Sequence, residues 1–198
     1  MYPYVESICV VNRKILNLDY HQQRLERTCR QVYGMSPDYE LSRVITLPDN
    51  IPSYTLKLRF LYDINNFRYE YEKYKPKNIK TLKIIRDDLI DYRTKSTDRK
   101  HIQDLLKNKD NCDDILIIKN GFVTDTSSAN ICFYDGKKWL TPDTPLLEGT
   151  CRVRLLEEGK IKEANIRIED ISSFESFCLI NAMIRNLNNI LPVSVIKK

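Results

Sequence analysis

No run in the chain approaches 18 apolar residues, which excludes a membrane-spanning helix. None of the six cysteines (Cys9, Cys29, Cys112, Cys132, Cys151 and Cys178) sits in a C-x-x-C pair, and the two histidines, His21 and His101, are scattered. A zinc centre needs clustered ligands, so no metal site is expected. Most of the cysteines fall in apolar strand or helix patterns, which reads as buried thiols and not as a disulfide framework. The start, MYPYVESICVV, lacks a basic segment and a cleavage site, so no signal peptide is expected and a cytoplasmic location follows by default. Internal repeats and low-complexity tracts are also missing.

What is present is the composition of a soluble globular protein. At 198 residues, 42% hydrophobic and 30% charged, the chain can bury a real core as one domain or two small ones. The net charge of +5 comes from Lys and Arg dispersed among 27 acids, and basic clusters such as Lys73-Tyr74-Lys75-Pro76-Lys77 are short. A solvated surface explains them better than a nucleic-acid partner. Several of the twelve tyrosines alternate through Arg68 to Tyr74, which suits a strand. No RNA-binding signature accompanies them.

Periodicity gives an α+β reading. A strand pair leads into a helix from Asp19, as cap, to Tyr33, stopped by Gly34, with Leu25, Cys29, Val32 and Tyr33 on one face. A short helix follows Ser36-Pro37 and turns Leu41, Val44 and Ile45 inward. Residues 55–62 alternate cleanly, and 79–86 form another strand. A helix from about Asp98 carries Ile102, Leu105 and Leu106. Strands are expected near 114–119, 121–125, 129–134 and 137–141, a helix from Glu148 to Glu158, and strands over 161–168, 176–181 and 190–196. The expected organisation is a subdomain of residues 1–88, a connector at 89–94 and a second subdomain of 95–198.

The block Ile117 to Arg154, IIKNGFVTDTSSANICFYDGKKWLTPDTPLLEGTCRVR, is the most informative. Asn120-Gly121 and Asp135-Gly136 are hairpin signals, because both central residues tolerate positive φ. The loop Asp125-Thr126-Ser127-Ser128-Ala129-Asn130 sets a carboxylate, three hydroxyls and an amide at a strand end. A helix start at Gly149-Thr150 offers unpaired N–H groups that can hold a phosphate. A carboxylate beside a phosphate cradle suits a cationic heterocycle carrying a phosphate.

This block resembles the class IV, or fold-type IV, family of pyridoxal-phosphate (PLP) enzymes. That family includes branched-chain and D-amino-acid aminotransferases and 4-amino-4-deoxychorismate lyase. YVESICVVNRKILNLDYHQQRL resembles its first strand pair and His-x-x-Arg-Leu helix. YRTKSTDRKHIQDLL resembles the segment of the Schiff-base lysine, and FCLINAMIRNLNNILPV the closing strand and last cofactor loop. The four matches keep the family's order over nearly the whole chain. The resemblance implies a fold-type IV architecture, two small subdomains with the active site in the cleft between them, and a homodimer.

Carried over residue by residue, the resemblance implies Lys95 as the catalytic lysine, which must be partly deprotonated near neutral pH. It implies Asp125 as partner of the pyridine nitrogen, which keeps the ring an electron sink. The family usually has glutamate there, and aspartate is shorter by roughly 1.5 Å. Arg24 matches the phosphate-binding arginine, since guanidinium suits bidentate contact. Thr150 and Cys151 match the phosphate-binding helix start, where the family often has Thr in place of Cys151. Ala182 and Met183 match the last phosphate-side loop, and Asn181-Ala182 is similar to the lyase members. Asn130 is read as fixing the loop. Arg59, Arg93 and Arg185 are candidates for a substrate carboxylate.

The chain reaches its Tyr4-Val5-Glu6-Ser7 strand almost at once. Part of the substrate pocket is therefore expected to be absent or supplied by a partner subunit. The implied function is a PLP-dependent aminotransferase-like enzyme acting on a small amino-bearing substrate. The alternatives are an aminodeoxychorismate lyase-type elimination that releases pyruvate, and a non-catalytic relic of the fold.

Overall fold

A computed structural model describes residues 2–198, which divide into two compact units. One comprises the residues up to Pro76 together with Thr94–Asp98; the other comprises Lys77–Arg93 and Arg99–Lys198. Residues 77–88 therefore group with the second unit, not with the first as expected from the sequence. The short piece carrying Lys95 groups with the first.

The first unit is built on a four-stranded antiparallel sheet. Its strands are β1 (Tyr4–Val11), β2 (Lys14–Ile15), β3 (Leu56–Tyr62) and β4 (Phe67–Lys73), in the order β2-β1-β3-β4. The two-residue turn between β1 and β2 places Asn12 and Arg13 at φ 49° and 60°, the handedness that matches strand twist. Helix α1 (Leu18–Tyr33) packs Leu25 and Cys29 onto Ile8, Val10, Leu58 and Phe60. Gly34 ends it at φ 74°, its N–H bonded to Arg30 O at 3.0 Å. The helix starts after Asn17, which has a left-handed backbone, so Asp19 lies in the first turn and is not the cap. Val32, expected inward, is exposed. A one-turn helix, α2 (Leu41–Val44), buries Leu41 and Ile45.

Thr94–Asp98 pairs with the start of β1. Ser96 lies opposite Tyr4, the Val5 N–H donates to Lys95 O at 3.1 Å, and the Thr97 N–H donates to Pro3 O at 2.8 Å.

The second unit holds a mixed nine-stranded sheet. Its strands are β5 (Leu82–Arg86), β6 (Asp114–Lys119), β7 (Phe122–Thr126), β8 (Asn130–Tyr134), β9 (Trp139–Pro142), β10 (Lys162–Ala164), β11 (Ser176–Ile180), β12 (Leu191–Pro192) and β13 (Ile196–Lys197). Helices α3 (Lys100–Leu106) and α4 (Thr150–Glu157) belong to the same unit. The main path runs β10-β9-β8-β7-β6-β5-β13, parallel at β5–β6, β5–β13 and β9–β10. Along its whole length β8 pairs with β11. It pairs with β7 at Asn130 and with β9 at Phe133 and Tyr134, so the two share its other edge. Strand β6 is apolar on both faces: Leu116 and Ile118 join the core of Val123, Ile131, Phe133 and Phe177, while Ile115 and Ile117 pack with Ile90 and Ile102.

Two expected strands are shorter than the alternation suggests. Out of 161–168 the strand proper is Lys162–Ala164, with a single antiparallel bridge from Arg167 to Phe122 beyond it; Asp170 Oδ2 accepts the Arg167 N–H at 2.8 Å at the start of a 3-10 turn over Ile168–Ser173. The 190–196 run is split by a second 3-10 turn at Val193–Val195. Helix α4 begins at Thr150 and not at Glu148. No helix among the described residues is long and apolar enough to cross a membrane.

Phe133 is fully buried at the centre of the second core, against Phe174 and Phe177. Phe133→Ala is expected to lower unfolding free energy by about 3–5 kcal/mol, read by chemical denaturation.

Candidate functional site

In the first unit an acid stands in an apolar strand. Glu6 on β1 alternates with Ile8 and Val10, so it points at α1 and is fully buried. Two α1 residues three apart, His21 and Arg24, share the face that meets it. Arg24 Nε donates to Glu6 Oε1 at 2.9 Å, and its Nη2 donates to Glu6 Oε2. His21 Nδ1 lies 2.6 Å from Oε2. Burial alone would push the Glu6 carboxyl up, but the Arg24 guanidinium and His21 outweigh it and hold the group down at about 2. Burial pushes the His21 pKa down; Glu6 opposes this, and Arg24 and Lys95 reinforce it. His21 is therefore neutral. Because an ionised carboxylate only accepts, Nδ1 carries the proton.

Lys95 is half-buried. Its register places it opposite Val5, which lies opposite Leu61, and the next row pairs Ser7 with Arg59. Directly opposed residues project from the same face of a sheet. Lys95, Ser7 and Arg59 therefore share the face opposite Glu6. Arg59 Nη1 pairs with Glu70 at 2.8 Å.

In the second unit, Asp125 at the end of β7 and Asn130 at the start of β8 face each other and are both buried. Asn130 Nδ2 donates to Asp125 Oδ1 at 2.7 Å and to Leu147 O at 2.9 Å, and the Leu147 N–H donates to Asp125 Oδ2 at 2.9 Å. Burial pushes the Asp125 carboxyl up to about 6, against the Leu147 N–H, the Asn130 amide and the charge of Arg152. This ring leads directly into α4. The residue before the helix is Gly149, where a Cβ would collide with Asn130 Oδ1. Glycine has no side chain to cap the helix, so the first-turn N–H groups of Thr150, Cys151 and Arg152 have no intrahelical acceptor and present the positive end of the dipole.

Two hydroxyls nearby in sequence, Thr150 Oγ1 and Ser127 Oγ, are buried without a hydrogen-bond partner among the described residues. Ser127 O accepts from Arg99 Nη2, and Ser128 O from Asn181 Nδ2 at 3.2 Å. Asn181 Oδ1, in turn, accepts the N–H groups of Met183 and Ile184 at 2.9 Å each, which forms the turn containing Ala182 and Met183. Cys151 Sγ lies 3.5 Å from Arg185 O, and Arg154 Nη2 donates to the same carbonyl. The structure thus ties the loop of Asp125, the start of α4 and the Ala182–Met183 turn to one another.

Of the three arginines considered for a substrate, Arg93 is exposed and paired with Asp91 at 2.8 Å, and Arg185 is half-buried at the turn beside α4. Only Arg59 shares the face of Lys95. Sequence reasoning passed over Glu6, His21, Ser127 and Arg99 as site residues. The signal for the first two was present: an acid inside an apolar strand, and a His and an Arg at helical spacing.

Residues 4–196 match the family model of amino-transferase class IV. An uncharacterized protein of Haemophilus influenzae Rd is 43% identical over 185 residues, 92% of this chain and 98% of that protein. The crystal structure of a candidate 4-amino-4-deoxychorismate lyase from Haemophilus somnus 129PT is 36% identical, with a TM-score of 0.86 over 93% of this chain and 97% of that one. An aminotransferase of Brucella abortus, bound to the cofactor PLP, shares the fold at 15% identity, with a TM-score of 0.73 over 96% of this chain and 79% of that one. The chain belongs to the class IV amino-transferase family.

Proposed function

We propose that the chain is a PLP-dependent enzyme, aminotransferase-like, acting on a small amino-bearing substrate. The observation that carries this is the uncapped start of α4 with the Thr150 hydroxyl, which has no hydrogen-bond partner among the described residues, close in the hydrogen-bond network to a buried carboxylate. Donors without acceptors fit a phosphate, and a buried acid with a raised pKa fits a cation. Those features also weigh against a non-catalytic relic.

When bound, PLP draws electrons from the carbon that carries the substrate amino group. Its phosphate would be held by Arg24, by the N–H groups of Thr150 and Cys151, and by the Ala182–Met183 turn. Asp125 would ionise beside the pyridine nitrogen and keep it protonated. Lys95 Nζ would attach the cofactor and then act as general base on the substrate Cα proton. The sheet face that Lys95 shares with Arg59 supports Arg59 over Arg93 and Arg185 as the partner of a substrate carboxylate. The same reading includes a homodimer in the cytoplasm. Six buried cysteines with no disulfide support a reducing compartment.

A second reading, elimination with release of pyruvate, is favoured by Asn181-Ala182 and by the description of the 36% identical relative. Transamination stays ahead as the commoner reaction of the family.

Three outcomes test the proposal. Borohydride reduction of the PLP-loaded protein is expected to leave the cofactor on the peptide of Lys95 and to abolish further binding; no label on Lys95, or label elsewhere, overturns the assignment. Asp125 is protonated below about 6, so PLP affinity is expected to rise as the pH passes upward through that value. Asp125→Asn should flatten the step, and an unchanged profile in that variant removes Asp125 from the site. L- and D-amino acids with 2-oxoglutarate are expected to yield glutamate. Pyruvate from aminodeoxychorismate, with no amino transfer, would reverse the order of the two reactions.

A further inference from the structure

We infer that the open edge of β5 is a docking groove for an extended, acidic peptide segment of a partner protein, which adds to the nine-stranded sheet as a further strand.

The alternation of β5 sets this edge. In a strand, successive residues turn their backbone groups to opposite sides. The Asp87 N–H donates to Ile118 O at 2.9 Å, and Thr81 O accepts the Asp114 N–H at 3.3 Å, so the odd-numbered residues of this segment face β6. The backbone groups of Leu82, Ile84 and Arg86 therefore face the other way. On that side β13 pairs at Leu82 and Lys83, and its register does not reach Ile85 or Arg86. An uncovered edge is a template for another strand.

A cavity of about 530 Å³ lies along the same stretch. Ile84 and Ile85 both line it, although adjacent strand residues project to opposite faces. One cavity reaches both side chains by passing around an edge of the strand, and β6 occupies the other edge. The groove has an apolar wall on each face of the sheet. On one, Ile84 packs with Ile168 against the core of Leu116 and Phe133; on the other, Ile85 packs with Leu105 against Ile115 and Ile117. An incoming strand alternates its own side chains between the two faces, so two successive apolar residues would meet one isoleucine each. Its backbone would meet the groups of Ile84 and Arg86.

Charge selects the occupant. The charged residues that line the cavity are Arg86 and Lys198, and no acid lines it. Both cations are exposed, and neither side chain has an ion pair among the described residues. Glutamate or aspartate flanking the apolar pair would complement them, and the net charge of +5 acts in the same sense at longer range. A second copy of the chain, set edge to edge, would oppose cations to cations.

The probe is the fluorescein-labelled peptide acetyl-Glu-Glu-Val-Val-Glu-Glu-amide, titrated with the full chain by polarisation and followed on the amide NMR signals of the protein. It is expected to bind and to shift the signals of Ile84, Arg86 and Ile168, whereas the same peptide with lysine for glutamate does not. Proline in place of the second valine removes a main-chain donor and is expected to weaken binding by about fivefold. Arg86→Gln is expected to cost about fivefold, the scale of one exposed charge contact. Arg86→Pro also removes the N–H that faces the open edge and is expected to cost more; should it fail to fold, Arg86→Gln and the proline peptide decide. No binding of the glutamate peptide at millimolar concentration overturns the inference. Equal affinity for the valine and proline peptides overturns it as well, since the contact is then charge alone. If octanoate shifts the same signals and the peptide does not, the groove is a site for a small amphiphile and the inference falls. If Arg86→Gln makes the chain self-associate and leaves peptide affinity unchanged, Arg86 guards the edge against self-pairing, and the docking role is overturned.

Discussion

Asp125 accepts hydrogen bonds from Asn130 Nδ2 and from the N–H of Leu147, and the polar side of the second unit is arranged around them. Because Asn130 also donates to Leu147 O, the approach to α4 is fixed at both its donor and its acceptor. The chain then passes so close to Asn130 that only glycine fits at position 149. Glycine cannot cap the helix that follows. The open N–H groups of α4 are thus a consequence of how the carboxylate is held. The site's carboxylate and its anion cradle are one piece of covalent and hydrogen-bonded structure.

The first unit uses a buried carboxylate for the opposite purpose. Glu6 has a full positive charge against it and is held at about 2, charged at any physiological pH. Asp125 has only neutral donors and the charge of Arg152 against it, and burial lifts it to about 6. Two acids of nearly equal intrinsic strength are separated by their neighbours into a fixed structural anion and one that a cation can recruit. Such a difference costs the fold something at Asp125, where burial of the charged form is only partly offset. Strained or poorly compensated groups of this kind are expected where a ligand completes the environment.

Much of the local architecture was legible. The alternation of Leu56, Leu58, Phe60 and Tyr62 is that of a strand with one buried face, and β3 is such a strand. Asn120-Gly121 takes the left-handed conformations that a tight hairpin requires, at φ 52° and 81°. Gly34 ends α1 for the same steric reason. Alternation misled at 161–168 and 190–196, where it is as good as in a real strand. There, capping by Asp170 and the turn after Pro192 compete with pairing, and only the presence of a neighbouring strand edge decides between them. Asp19 read as a cap by residue type, but the chain enters α1 through the left-handed Asn17.

The sequence by itself determined most of the elements, the order of the family's motifs, and the chemistry that Lys95, Arg24, Asp125 and Thr150 could supply. These rest on backbone sterics and residue type, which act over a few positions. Tertiary structure alone decided which groups meet. It set Glu6 beneath His21 and Arg24, closed Asp125 onto Asn130 and Leu147, brought the Ala182–Met183 turn to Cys151 and Arg154, and left the hydroxyls of Ser127 and Thr150 without partners among the described residues. Each of these depends on the burial of a charge or dipole, mostly among residues 15 to more than 30 positions apart and for Asp125 and Asn130 across the turn between two strands, and the cost of that burial is set by the surrounding fold.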